Sequence, residues 1–186
     1  MRVVTLEVVA IPRAKASLTL PSMALANEYL KLLRETARFD SGWNEGPAAE
    51  LVEKDMVGHI ASLVEGFDTT SSVRSAHFWL VASGGDLLGR VTIRYELGDR
   101  LLNLIGHIGY AIRPTQRRSG YGVLALRLAL TEAHAVGLTS VVLVCAEDNE
   151  GSRRIIEHCG GLLQERFSDA DTPDRIRRRY VITLSK

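Results

Sequence analysis

Residues 108–123, Ile-Gly-Tyr-Ala-Ile-Arg-Pro-Thr-Gln-Arg-Arg-Ser-Gly-Tyr-Gly-Val, constrain this fold more than any other stretch. An apolar run ending at Ile112 reads as a strand, the Arg113–Pro114 step stops it, and Gly120 and Gly122 open a long apolar run that reads as a helix. The first turn of a helix leaves several backbone N–H groups without intrahelical partners, and the helix dipole places partial positive charge there. Glycines let a bulky anion approach the backbone, and Arg117 and Arg118 add countercharge. The segment is therefore a candidate pyrophosphate cradle built from Arg117, Arg118, Ser119, Gly120, Tyr121 and Gly122.

At 186 residues the chain is one domain. With 46% hydrophobic residues it can bury a core without disulfides or metal. A formal charge of +1 argues against a protein whose task is gripping nucleic acid. No apolar run reaches the ~18 residues that would span a bilayer. The apolar start, Met1 to Ile11, is interrupted by Glu7 and carries a single arginine, Arg2. It reads as a lead-in strand or arm over 1–16, not a signal peptide, ahead of a domain over 17–186. Cys145 and Cys159 have no metal or redox spacing and read as small half-buried thiols, which fits a cytoplasmic protein.

Helical spacing of Leu25, Tyr29, Leu32 and Leu33 predicts a helix over 24–37, broken by 41–47. A second helix is expected over 48–64 with Leu51, Met56, Ile60 and Leu63 inward, then a polar loop over 66–72. The stretch 77–95 alternates around Ser83-Gly-Gly-Asp86 and predicts a hairpin. A strand over 104–112 leads into the cradle and its helix, whose polar stripe is Arg127, Thr131 and His134, with Gly137 as its stop. The Val-rich run 140–145 reads as a strand covered on both faces. Asp148 and Asn149 can cap the next helix, Gly160 and Gly161 end it, and 162–167 and 176–184 supply the last strands. In the final strand Ile176, Tyr180, Ile182 and Leu184 share a face. The order describes an α/β domain around a mixed sheet.

Three phosphate ligands compete for the cradle. The ATP-type loop needs Gly-Lys-Ser/Thr, which is absent. Gly120-Tyr-Gly122-Val-Leu-Ala125 matches a dinucleotide fingerprint. However, seven residues separate its first glycine from the strand, and too little chain follows for a doubly wound sheet. Acyl-coenzyme A combines phosphates, which suit the helix start, with an amide-bearing arm that suits a strand edge. The segment offers both in succession.

Arg117-Arg-Ser-Gly120-Tyr-Gly122 resembles motif A, Arg/Gln-x-x-Gly-x-Gly/Ala, of the GNAT superfamily of acyl-CoA N-acyltransferases. The stretch from Asp148-Asn149 through Ser152 to Gly160-Gly161 resembles its second signature. The likeness extends from Phe78-Trp-Leu-Val through Gly89–Arg94 and Gly106–Tyr110 to Arg178-Arg-Tyr180, and it is similar to a bacterial subgroup of predicted acetyltransferases. The resemblance implies a GNAT-like fold: a central, mostly antiparallel twisted sheet flanked by helices. It implies transfer of acetyl from acetyl-CoA, as co-substrate and without metal, to a primary amine on a small molecule or peptide. Dimers are frequent in the family; neither nucleic acid nor membrane is implied as partner.

Carried over residue by residue, backbone groups at Tyr110, Ala111 and Ile112 pair with the pantetheine arm. The amides from Arg117 to Gly122 wrap the pyrophosphate, and Asn149 and Ser152 reach the cofactor from the opposite strand end. The attacking amine must lose a proton. His107 is the first candidate base, followed by Glu147 and Asp148. Where family members commonly carry a tyrosine that protonates the departing thiolate, this chain has Ile156. His158, Tyr110 and Tyr121 are the alternatives, and the missing tyrosine also motivates a rival reading as a non-catalytic acyl-CoA-binding sensor or interaction module. Trp43 and the 40–47 loop are expected to border the acceptor site. Arg175, Arg177, Arg178 and Arg179 read as mainly solvated.

Overall fold

A computed structural model describes residues 15–39, 47–68, 73–98, 105–169 and 172–184. The expected lead-in over 1–14 and the expected acceptor loop at 40–46, with Trp43, lie outside the described residues. In chain order the elements are β1 (Ala16–Thr19), α1 (Ala26–Phe39), α2 (Ala49–Lys54), α3 (Met56–Glu65), β2 (Phe67–Asp68), β3 (Val73–Ala82), β4 (Leu87–Arg94), β5 (Ile108–Ile112), α4 (Tyr121–Ala135), β6 (Ser140–Ala146), α5 (Glu150–His158), β7 (Leu162–Asp169) and β8 (Thr172–Thr183).

The strands form two sheets. One runs β1-β3-β4-β5, with β2 also on β3; the other runs β6-β8-β7, and every pairing among the described residues is antiparallel. The sheets meet where β5 begins, through a backbone bridge between Gly106 and Leu143. The helix α4 holds both. Its fully buried Ala125, Leu126, Ala129 and Ala133 pack on Leu80, Val91, Ile93 and Ile108 of the first sheet and Val141, Leu143 and Tyr180 of the second. Alanines at three of these positions let the helix lie close to both sheets. Each large apolar side chain buried here contributes roughly 1.5–3 kcal/mol. On the opposite face of the first sheet, Tyr29, Leu32 and Leu33 of α1, Val52 of α2 and Ile60 of α3 cover Trp79 and Leu87. The Tyr29 ring stacks on Trp79 with centroids 4.8 Å apart.

The expected helix over 48–64 is two helices. Asp55 adopts φ −140° and ψ 64°, and its carboxylate accepts from the Gly58 N–H at 2.9 Å, so it restarts the chain as an N-cap. The break turns the apolar face: Val52 is buried and Leu51 is exposed. The run 140–146 alternates buried and half-buried residues, so only its α4 side is fully covered. In β8, Tyr180 and Ile182 are buried but Ile176 is exposed, because β8 extends beyond the helices that cover its far end. The arginines of β8 are less solvated than expected: Arg178 and Arg179 are paired with Glu147 and Glu165, and Arg179 lies over the Phe167 ring.

Candidate functional site

Past the Gly106–Leu143 bridge the two sheets part, and β5 turns a free edge toward β6. The Arg94 N–H donates to the His107 carbonyl and the Arg113 N–H to the Leu88 carbonyl, which brackets the β4–β5 ladder. Antiparallel pairing alternates every residue. Gly109 and Ala111 therefore direct their peptide groups to β4, while Ile108, Tyr110 and Ile112 direct theirs into the gap. Of the three residues expected to offer backbone to an extended arm, Tyr110 and Ile112 face the gap and Ala111 does not. The Ile112 carbonyl accepts from Arg117 Nε at 3.1 Å, which folds the arginine back against the loop.

The gap runs directly into the start of α4. Gly120 is its N-cap at φ +81°, with no side-chain cap, and the first turn holds no acidic residue. The Leu124 N–H is the first to reach back into the helix, to Gly120 O at 3.1 Å. The amides of Tyr121, Gly122 and Val123 are thus presented at the helix end. Arg118 stands at φ +59°, the one non-glycine residue with positive φ among those described. Left-handed residues spaced along a turn aim successive N–H groups at one point, a concavity that suits an anion. Such a conformation costs a non-glycine residue about 1–2 kcal/mol. Gly122 has a different reason to be glycine: a Cβ there would lie 2.5 Å from Ile155 Cδ1, so it lets α5 pack on α4.

The loop is anchored from α1. Arg113 Nε donates to Glu35 Oε2 at 2.6 Å and its Nη1 to Glu28 Oε2 at 3.1 Å, while the Thr115 N–H donates to Glu35 Oε1 at 2.7 Å. Glu28 and Glu35 lie two helical turns apart on one face, and that spacing was the signal available in the sequence for a clamp that motif reading missed. Hydrogen bonds to charged groups contribute roughly 1.5–3 kcal/mol. Glu35→Gln is expected to weaken acetyl-CoA binding about tenfold by loosening the loop, with little change in the fold. Calorimetric titration checks this, and unchanged affinity contradicts it.

Across the gap, Asn149 Oδ1 accepts from the Ser152 N–H at 3.0 Å and caps α5, as expected for a helix start there. Tyr110 OH donates to Ser152 O over a long 3.5 Å, so the signature residues of β5 and α5 come together. Ile156 is 1% exposed and packs beneath Gly161, where a Cβ would lie 2.4 Å from Ile156 Cγ2. That position holds core. Burial pushes the Tyr110 phenol well above its usual range and raises the Cys145 thiol to about 11. Tyr121 is buried, and His158 Nε2 lies 3.3 Å from Arg127 Nη2 on the surface.

The candidate bases fare differently. The Glu147 carboxylate, hydrogen-bonded by Arg178 through two bonds of 2.7 Å and by Arg166, is held down to about 2, which leaves it a poor base at neutral pH. Asp148 is exposed on the turn before α5. His107 stands at the sheet junction, where its N–H donates to Val142 O at 2.7 Å and its Nδ1 accepts from the Val142 N–H at 3.0 Å. This bond uses the lone pair that a base would need and fixes the neutral ring with its hydrogen on Nε2.

Burial lowers the His107 pKa below its usual value. The unfolded chain then binds more protons than the folded chain, so stability rises with pH. The contribution of His107 is complete above about pH 6.5 and is lost as pH falls toward the depressed folded value. His59, lowered by burial and by Arg90, acts in the same direction. The melting midpoint is therefore expected to fall between about pH 7 and pH 5, and to fall less in His107→Gln. A wild-type midpoint that holds steady over that interval contradicts the assignment.

The model of the acetyltransferase (GNAT) domain family matches residues 25–161. No curated protein sequence matches the chain. Among solved structures, the chain is similar to RimJ of Mycobacterium smegmatis, in complex with CoA-disulfide, at 18% identity and a TM-score of 0.72, covering 94% of this chain and 84% of that one. It is similar to RimL, a ribosomal alpha-N-protein acetyltransferase in complex with coenzyme A, at 13% identity and a TM-score of 0.69, covering 96% and 98%. It is also similar to a chimeric spermidine N-acetyltransferase from Vibrio cholerae, at 15% identity and a TM-score of 0.63, covering 92% and 96%. At these identities the structures speak for the fold, and the family match speaks for the chemistry: the chain belongs to the GNAT acetyltransferase family and is an acetyl-CoA-dependent acetyltransferase.

Proposed function

We propose that this enzyme transfers the acetyl group of acetyl-CoA to a primary amine by direct attack of the amine on the thioester. The observation that carries the reading is the juxtaposition of a gap-facing β5 edge with the uncapped start of α4. In this reading the amides from Arg117 to Gly122 and the side chains of Arg117, Arg118 and Ser119 hold the phosphates. The peptide groups of Tyr110 and Ile112 pair with the pantetheine arm, and Asn149 and Ser152 close the far side. A gap-facing N–H of β5 polarises the thioester carbonyl, where negative charge develops during attack. His107 positions the junction from which the gap opens.

The acceptor is an amine, and the relatives span a ribosomal protein α-amine and spermidine. The test supplies acetyl-CoA with spermidine or with a peptide bearing a free α-amine. Release of coenzyme A thiol together with acetylation of one amine is the expected result. Tight acetyl-CoA binding with no amine of either class acetylated would count against the reading.

A further inference from the structure

The edge of β3 that faces away from β4 is covered in two pieces. Thr19, at the end of β1, pairs with Trp79, and Phe67 of β2 pairs with Arg74. Over 75–78 this edge has no strand partner among the described residues. The Ser75 N–H instead donates to the Gly66 carbonyl at 2.9 Å, where α3 ends. The interruption holds a cavity of about 300 Å³. Ligand pockets run from roughly 300 to 1,000 Å³, so this one suits a molecule the size of a free amino acid.

The lining changes character from one end to the other. The register that pairs Thr19 with Trp79 sets Leu20 beside Phe78, and Leu63 of α3 lines the same cavity. These make an apolar end. At the other end Arg74 and Glu65 each stand one residue before the Ser75–Gly66 bond, and both are exposed. Among the described residues neither of these charged side chains has a hydrogen bond or an ion pair. Gly66 closes α3 at φ +73°, so the helix end adds partial negative charge beside Glu65. His77 forms the wall toward β4, its ring within 3.1 Å of both Ser75 Oγ and Thr92 Oγ1. A cation and an anion at one end, with aliphatic and aromatic groups at the other, complement a molecule whose carboxylate and ammonium sit together ahead of an apolar tail.

We propose that this cavity is a second binding site, for a free α-amino acid with an apolar side chain. Arg74 takes the carboxylate, Glu65 and the end of α3 take the ammonium, and Leu20, Leu63 and Phe78 cover the tail. The site is separate from the gap. Strands stand about 4.8 Å apart, so β3 is about 10 Å from β5. Between them lies β4, whose Arg94 guanidinium covers Gly109: its Nη1 is 3.6 Å from where a Cβ of Gly109 would stand. The amine of a molecule held at the β3 edge therefore does not reach the gap, and the molecule is a ligand rather than the acceptor. The proposal goes beyond the acyl-transfer reading and does not depend on it.

Calorimetric titration of the whole chain with L-leucine and with L-phenylalanine tests the site, with and without saturating acetyl-CoA. One molecule is expected to bind per chain, with the same affinity in both conditions. Isocaproate lacks the ammonium, isoamylamine lacks the carboxylate and glycine lacks the tail, and each is expected to bind at least about tenfold more weakly than L-leucine. Arg74→Gln and Glu65→Gln are each expected to weaken L-leucine binding about tenfold, the loss of one charged hydrogen bond. Both side chains are at the surface, so neither change should move Tm or the affinity for acetyl-CoA, which guards against misfolding. No heat with either amino acid at millimolar concentration overturns the site, as does wild-type affinity in either variant. Displacement of L-leucine by acetyl-CoA, or acetylation of L-leucine at a rate that falls in Arg74→Gln, also overturns it, because the ligand would then sit at the gap. Failure of acyl transfer shows separately, in the amine assay above.

Discussion

Gly120→Glu is expected to lower acetyl-CoA affinity by at least about 100-fold, a loss of roughly 2.8 kcal/mol or more. Two effects add. Gly120 holds φ +81° at the N-cap of α4, a conformation that costs a residue with a Cβ about 1–2 kcal/mol. The new carboxylate also stands where the helix start and its bare amides favour an anion, and it opposes the phosphates of the ligand. Gly120→Asn separates the two, because asparagine tolerates the left-handed region and adds no charge. Its loss is expected to stay below about tenfold, or 1.4 kcal/mol. Equal losses in the two variants would mean that backbone shape, not charge, governs the site. Unchanged affinity in Gly120→Glu would place the phosphates elsewhere.

The largest effect on stability is expected at Gly106. This residue makes the bridge between the sheets at φ +74°, and a Cβ there would lie 2.5 Å from Val142 O and 3.0 Å from Val142 C, both backbone atoms that cannot swing aside. Gly106→Val combines a left-handed β-branched residue with overpacking, each costing roughly 1–3 kcal/mol. For a domain of this length each kcal/mol moves the midpoint by about 2–4 °C, so Tm is expected to fall by roughly 10 °C. Gly98→Val is the control: nothing lies within 4 Å of its Cβ position and its φ is not positive, so stability should change little. The two sheets diverge from this point, so acetyl-CoA affinity is expected to fall with stability in Gly106→Val and to hold in Gly98→Val. Equal stabilities of the two variants would contradict this account of the junction.

The parts of the fold visible in the sequence are those where local chemistry and tertiary packing agree. Gly137 and Gly160 end their helices at φ +94° and +89°, Asn149 caps α5, and the turn of the 77–95 hairpin falls at Ser83–Asp86. The second helix was misread because Asp55 is compatible with a helix interior by pattern. Only its bond to the Gly58 N–H makes it a restart. At the site, the uncapped start of α4 was legible because it is written in consecutive residues. The reason for Gly122 was not, since Ile155 meets it from α5, a separate helix further along the chain. His107 showed chemistry without context: a histidine before a strand does not reveal that Val142 occupies its Nδ1. The Glu147 carboxylate is similar, since its two arginines come from β7 and β8.

The central claim is that the β5 gap and the α4 start together hold acetyl-CoA, and thermal melts of the wild-type protein test it most directly. A ligand at about 100 times its Kd stabilises by about 2.7 kcal/mol, equivalent to roughly 5–11 °C in Tm for this length of chain. The account predicts a rise of that size with acetyl-CoA, none with NADPH, and neither rise in Gly120→Glu. A wild-type midpoint that does not move with acetyl-CoA, or that moves with NADPH alone, would contradict it.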